Sequence, residues 1–92
     1  MRNMEKRKFI DFTKDELVPG TLVEKFFHDR IVKIVKSLEN AVLLELEDEK
    51  YSSNKKYAVF ALNKDTGYWN MRISCPSVDE MHSWLSFYNK MR

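Results

Sequence analysis

Apolar side chains recur along this chain at two periods, and each period predicts a different element. Between positions 22 and 38 they fall at Leu22, Val23, Phe26, Phe27, Ile31, Ile34, Val35 and Leu38. That spacing draws one stripe on an α-helix, with Glu24, Lys25, His28, Asp29, Lys33, Lys36 and Ser37 opposite and Val32 the one misfit. The β-branched residues Ile31, Val32, Ile34 and Val35 favour a strand. A strand alternates strictly, however, and this segment pairs its apolar residues. The pattern predicts a helix over residues 21–38.

Farther along, the period drops to two. Val42, Leu44 and Leu46 lie on one side and Glu45 and Glu47 on the other, which predicts a half-buried strand over residues 41–47. Residues 47–56 are polar apart from Tyr51 and read as a loop. Residues 57–62 (Tyr, Ala, Val, Phe, Ala, Leu) are apolar on both faces, as in the middle strand of a sheet. Residues 63–67 form a hairpin connection, with Gly67 placed for a positive φ. A third strand follows over residues 68–74, with Trp69, Met71 and Ile73 on one face and Tyr68, Asn70 and Arg72 on the other. Pro76 ends it.

Three capping boxes mark helix starts, each a Ser or Thr followed three residues later by Glu. Thr13 with Glu16 opens a single turn, closed by Pro19 and Gly20. Thr21 with Glu24 opens the long helix. Ser77 with Glu80 opens a C-terminal helix whose stripe is Val78, Met81, Leu85, Tyr88 and Met91, flanked by Trp84. Asp79 and Glu80 at its start, and Lys90 and Arg92 at its end, suit the helix dipole.

The expected fold class is therefore α+β, a single domain running helix, three-stranded antiparallel meander, helix. Both helices are expected on one sheet face, because three strands need a packed layer to be stable. They would cover Val42, Leu44, Leu46, Ala58, Phe60, Leu62, Trp69, Met71 and Ile73. Residues 1–12 form a basic arm ending in an apolar anchor at Phe9, Ile10 and Phe12, and residues 13–92 form the α-β-β-β-α domain. The same element order occurs in double-stranded-RNA-binding domains. Their second helix opens on a basic cluster, whereas this one opens on Asp79 and Glu80, so no functional residue carries over.

Composition narrows the function classes. Ninety-two residues hold one core. Lys plus Arg is 16 and Asp plus Glu 14, a net charge of +2, of which +3 resides in residues 1–8. The longest apolar runs are too short to span a bilayer, and no apolar stretch follows the basic N-terminus as in a signal peptide. A cytoplasmic location and no membrane partner are expected. Phe, Tyr, Met, Ile, Asn and Lys total 36 against 12 for Gly, Ala, Arg and Pro, a ratio that suggests an AT-rich genome.

Catalytic chemistry finds little support. His28 and His82 fall on different elements, and neither has a Ser or Cys in a nucleophile–base pattern. The single Cys75 excludes a disulfide framework and a multi-thiolate zinc site. Two glycines cannot build a phosphate loop. The stretch from Glu39 to Lys50 nets −4, yet it lacks calcium-loop spacing and reads as a solvated strand end. No catalytic residue, metal or cofactor is expected.

The sheet face left bare by two helices on the other side is the strongest candidate surface. It would carry Leu43, Tyr57, Val59, Ala61 and Tyr68, either exposed or covered by residues 9–12. The expectation is a small non-enzymatic protein that acts by protein–protein interaction, as a regulator, inhibitor or adaptor, including a phage-type protein directed at a host factor. Its partner-binding residues would be Leu43, Tyr57, Val59, Tyr68 and Arg72. The alternative is an RNA- or DNA-binding module using Lys55, Lys56, Tyr57, Tyr68 and Arg72, because tyrosines among cations can stack bases and hold phosphates. A homodimer through the same face or an unpaired strand edge is compatible with either.

Overall fold

The computed structural model describes residues 10–23, 29–48 and 55–90. They form one four-stranded antiparallel meander, β1 (Asp29–Ser37), β2 (Ala41–Asp48), β3 (Lys55–Leu62) and β4 (Trp69–Cys75), in that spatial order. One helix, α1 (Met81–Lys90), follows, and a 3₁₀ turn (Lys14–Glu16) precedes the sheet. The expected helix–three strands–helix arrangement is thus overturned, because the second half of the first predicted helix is the strand β1. With it goes the element order shared with double-stranded-RNA-binding domains. Phe9, Phe26, Phe27, His28, Glu49, Lys50, Tyr51, Met91 and Arg92 lie outside the described residues.

Bulges explain the misleading period. The pairing of β1 with β2 runs Ile31 to Leu46, Lys33 to Glu45, Ile34 to Leu44 and Lys36 to Leu43, so Val32 and Val35 are extra residues. Each bulge breaks the two-residue alternation. Ile31 and Ile34, three apart, therefore flank the same face, and Val35 and Leu38, again three apart, pack on the other side. A strand bulged twice in this way reproduces helical spacing. The capping pair Thr21 and Glu24 also misleads. Thr21 and Val23 are hydrogen-bonded instead to the outer edge of β1, Ile31 N–H to Thr21 O at 2.9 Å and Val23 N–H to Asp29 O at 2.8 Å.

The strands that alternate cleanly form where expected. β2 and β3 are nevertheless buried on both faces, with Val42, Leu43, Leu44, Ala58, Val59 and Phe60 all without exposed surface. One face carries Val42, Leu44, Leu46, Ala58, Phe60 and Trp69, covered by Phe12, Leu17 and Val23 of the N-terminal segment. The opposite face carries Leu43, Val59 and Ala61, covered by Met81 and Leu85 of α1. The helix and the N-terminal segment thus lie on opposite faces, so the expected packing of both helices on one face does not occur. A third bulge sits on β4, where Val59 pairs with Ile73 and Phe60 with Met71, leaving Arg72 extra. It moves Ile73 off the face of Trp69 and Met71, where strict alternation had put it, and onto the α1 side.

Two turns hold this frame. The 3₁₀ turn is fixed by the Glu16 carboxylate accepting the Thr13 N–H at 2.8 Å. The β3–β4 hairpin closes with the Gly67 N–H donating to Asn63 O at 2.7 Å, Gly67 standing at φ 81°. Nothing lies within 4 Å of where a Gly67 Cβ would be, so only the backbone conformation opposes a side chain there. Gly67→Ala should accordingly cost about 1 kcal/mol, the order of the left-handed penalty for an L-residue. Chemical denaturation checks it, and an unchanged midpoint would show that the hairpin relaxes to another turn.

Candidate functional site

Burial removes part of the surface anticipated from sequence. Leu43 and Val59 sit at the centre of the sheet under α1 and present nothing to a partner. Tyr57 is half-buried, packs against that same cluster and stands opposite Cys75 at one end of β3. Tyr68 precedes β4 at the other end, beside the Leu62 and Trp69 pair. Five residue steps, roughly 17 Å at strand rise, separate those ends. The two tyrosines therefore do not share one patch.

The cations meet different fates. Lys55 is exposed, with its ammonium 3.7 Å from Glu45 Oε2. Lys56 reaches 2.6 Å from Asp29 Oδ2. Asp29 is the one buried charged residue among those described, at 2% exposure. Its Oδ2 lacks an aligned hydrogen bond, so the contact with Lys56 is held by charge rather than by hydrogen-bond geometry. Register sets Ile31, Leu46 and Lys56 in one row across three strands, and Asp29, two residues before Ile31 on β1, is the diagonal neighbour that Lys56 reaches. Arg72, at the β4 bulge, is exposed and forms no ion pair among the described residues.

A different surface emerges on α1. Trp84, Phe87 and Tyr88 are mutually in contact: Trp84 and Tyr88 stack at 5.9 Å, and Phe87 meets both rings edge-on at 5.7 and 5.1 Å. Helical spacing at i, i+3 and i+4 puts the three on one flank. Trp84 and Tyr88 lean on the core beneath the helix, which fixes them, and Phe87 stands 51% exposed. Tyr88 also lines a cleft of about 270 Å³ together with Leu62, Asn63, Lys64, Asp65 and Arg72. The aromatic flank of the helix is therefore the one turned toward β4. Sequence reasoning placed Tyr88 on the helix stripe and Trp84 flanking it, and passed over Phe87. Its position one residue off the stripe, between two aromatic neighbours, was the available signal.

The C-terminal end of α1, next to Tyr88, is anchored by the Asn40 N–H donating to Asn89 Oδ1 at 2.8 Å. Among the described residues, no three His, Cys, Asp or Glu side chains are grouped to hold a metal ion. His82 is exposed and Cys75 half-buried, on separate elements. No helix among the described residues is long and apolar enough to cross a membrane. Comparison with known protein families, curated proteins and solved structures finds no match for this chain.

Proposed function

We propose that the chain is a small non-enzymatic protein that works by binding another protein, through the aromatic flank of α1 and the adjoining side of β4. The observation that carries this reading is the half-exposed Phe87 ring, held edge-on by two half-buried aromatic rings. Aromatic anchors of this kind dominate binding energy at interfaces. Rings already fixed by packing also lose little side-chain entropy on association. A regulator, inhibitor or adaptor in the cytoplasm fits such a surface. The nucleic-acid alternative has less behind it, because Lys55 and Lys56 each lie against a carboxylate and Tyr57 and Tyr68 lie at opposite ends of the sheet.

Phe87→Lys tests the proposal. The ring lies off the core and touches Trp84 and Tyr88 of its own helix, so the variant should stay folded and lose at most about 0.5–1.5 kcal/mol per ring contact. Pull-down from source-cell extract, with nuclease present, should recover a stoichiometric partner with the parent chain and at least about tenfold less with the variant, as expected of an interface hot spot. Equal recovery by both chains, or capture that vanishes on nuclease treatment, overturns this surface as a protein-binding site.

A further inference from the structure

The two outer edges of the sheet are guarded unequally. Residues 20–23 run along the start of β1, where Gly20 N–H and Ile31 N–H make bonds of 2.7 and 2.9 Å across the seam. The rest of that edge carries two bulges together with Lys33 and Lys36. Bulges and lysines are the usual protection of an edge strand against added chains.

The β4 edge begins by accepting a strand and then stops. Phe12 and Trp69 exchange both backbone bonds, at 3.0 and 2.7 Å, as an antiparallel pair does. One residue later the N-terminal segment is diverted. The Asn70 side-chain amide donates to Ile10 O at 2.9 Å and to Asp11 Oδ1 at 2.8 Å, taking the place of a next ladder bond. Beyond it, residues 71–75 make no backbone bond to an outer segment among the described residues. The edge geometry is thus demonstrably able to receive an antiparallel chain, and over residues 71–75 no described residue pairs with it.

Charge and apolar surface specify the chain it suits. Residues 69–75 contain no acid, and the bulge leaves Arg72 exposed at the mouth of the cleft that Lys64 also lines. Asp65 is the one acid of that lining. Tyr88 lines the same cleft, and the rings of Trp84 and Phe87 pack against the Tyr88 ring. A chain added to β4 presents every second side chain to the helix side, so it needs apolar residues there and carboxylates within reach of the two cations. The protein's own residues 1–8, at +3, carry the wrong sign.

We infer that the outer edge of β4 takes an extended acidic and apolar segment of a partner protein as a fifth antiparallel strand, with its apolar side chains against Trp84, Phe87 and Tyr88 and its carboxylates toward Arg72 and Lys64. This rests on the protein-binding reading above and specifies how the partner is held. Backbone bonds to the edge supply affinity, and the alternate side chains supply selectivity.

The test is selection of a displayed library of random twelve-residue peptides on the full chain. Amide hydrogen exchange with a synthetic peptide of the enriched sequence follows. Enriched sequences should alternate apolar residues with Asp or Glu. The peptide should slow exchange at the outward-facing amides of residues 71–75 at least tenfold. Arg72→Glu should weaken binding tenfold or more, while Arg72→Lys retains most of it. Peptides that bind without protecting these amides overturn strand addition, as does a selection that enriches nothing. In either case a partner lost with Phe87→Lys still upholds protein binding, so the two failures are told apart. A fifteen-residue oligo-dT that displaces the peptide and protects the same amides overturns the inference in favour of single-stranded nucleic acid.

Discussion

Phe60→Ala should lower the unfolding free energy by about 3–5 kcal/mol, the range for deleting a buried phenylalanine ring. Phe60 is wholly buried in β3, paired with Val42 on one side and Met71 on the other. Its ring meets Phe12 edge-to-face, with centroids 5.6 Å apart and planes at 79°. The cavity would therefore open directly beneath the N-terminal cover. Two backbone bonds to Trp69 hold Phe12 in place, so that cover cannot simply sink into the space. Urea titration measures the loss, and the slope of the transition should not change. A loss below about 1.5 kcal/mol would mean that the cover collapses inward. A cycle with Phe12→Ala should further return a coupling of about 0.5–1.5 kcal/mol for the ring pair.

Lys56→Met should cost about 3 kcal/mol, nearly as much, although Lys56 lies partly at the surface. The substitution keeps most of the side-chain stem and removes the charge, leaving the Asp29 carboxylate buried with its counter-charge gone. Breaking one half of a buried ion pair costs about 3–5 kcal/mol, and the lower end applies because the lysine head still reaches water. Adding Asp29→Asn should restore a large part of the loss, since the neutral amide is far cheaper to bury than a lone carboxylate. Unfolding free energies of the two variants give the answer. A penalty under about 1 kcal/mol for Lys56→Met would show that Asp29 is compensated by something other than this lysine.

How much of this molecule was legible in its sequence depended on whether a segment kept its period. β2, β3 and the hairpin through Gly67 alternate or turn as their residues dictate, and the apolar sets Val42, Leu44, Leu46 and Leu43, Val59, Ala61 were separable by parity alone. α1 was visible from the spacing of Met81, Leu85 and Tyr88. β1 was not, because bulges at Val32 and Val35 convert a period of two into steps of three. The same device at Arg72 hid the true face of Ile73. The error then propagated, since a helix read in place of β1 demanded that both helices share a face and left the wrong side of the sheet bare.

The candidate site suffered from that displacement. Arg72 keeps its place in it, while Leu43 and Val59 became core once α1 covered them. Trp84 and Tyr88 were readable as helix residues, but their turn toward β4 follows from the tertiary seat of α1. The contact between Asp29 and Lys56 depends on register across three strands, which no local pattern encodes.

The division of the two sheet faces between opposite ends of the chain has a consequence during synthesis. The segment holding Phe12, Leu17 and Val23 is made before any strand it covers, so that side can close as soon as β4 emerges. α1 is made after every strand it covers. Until it arrives, Leu43, Val59 and Ala61 form a bare apolar strip on an otherwise assembled meander. Nascent chains stalled or clipped short of Met81 would consequently be the adhesive species, and the ones that chaperones and proteases should meet most often.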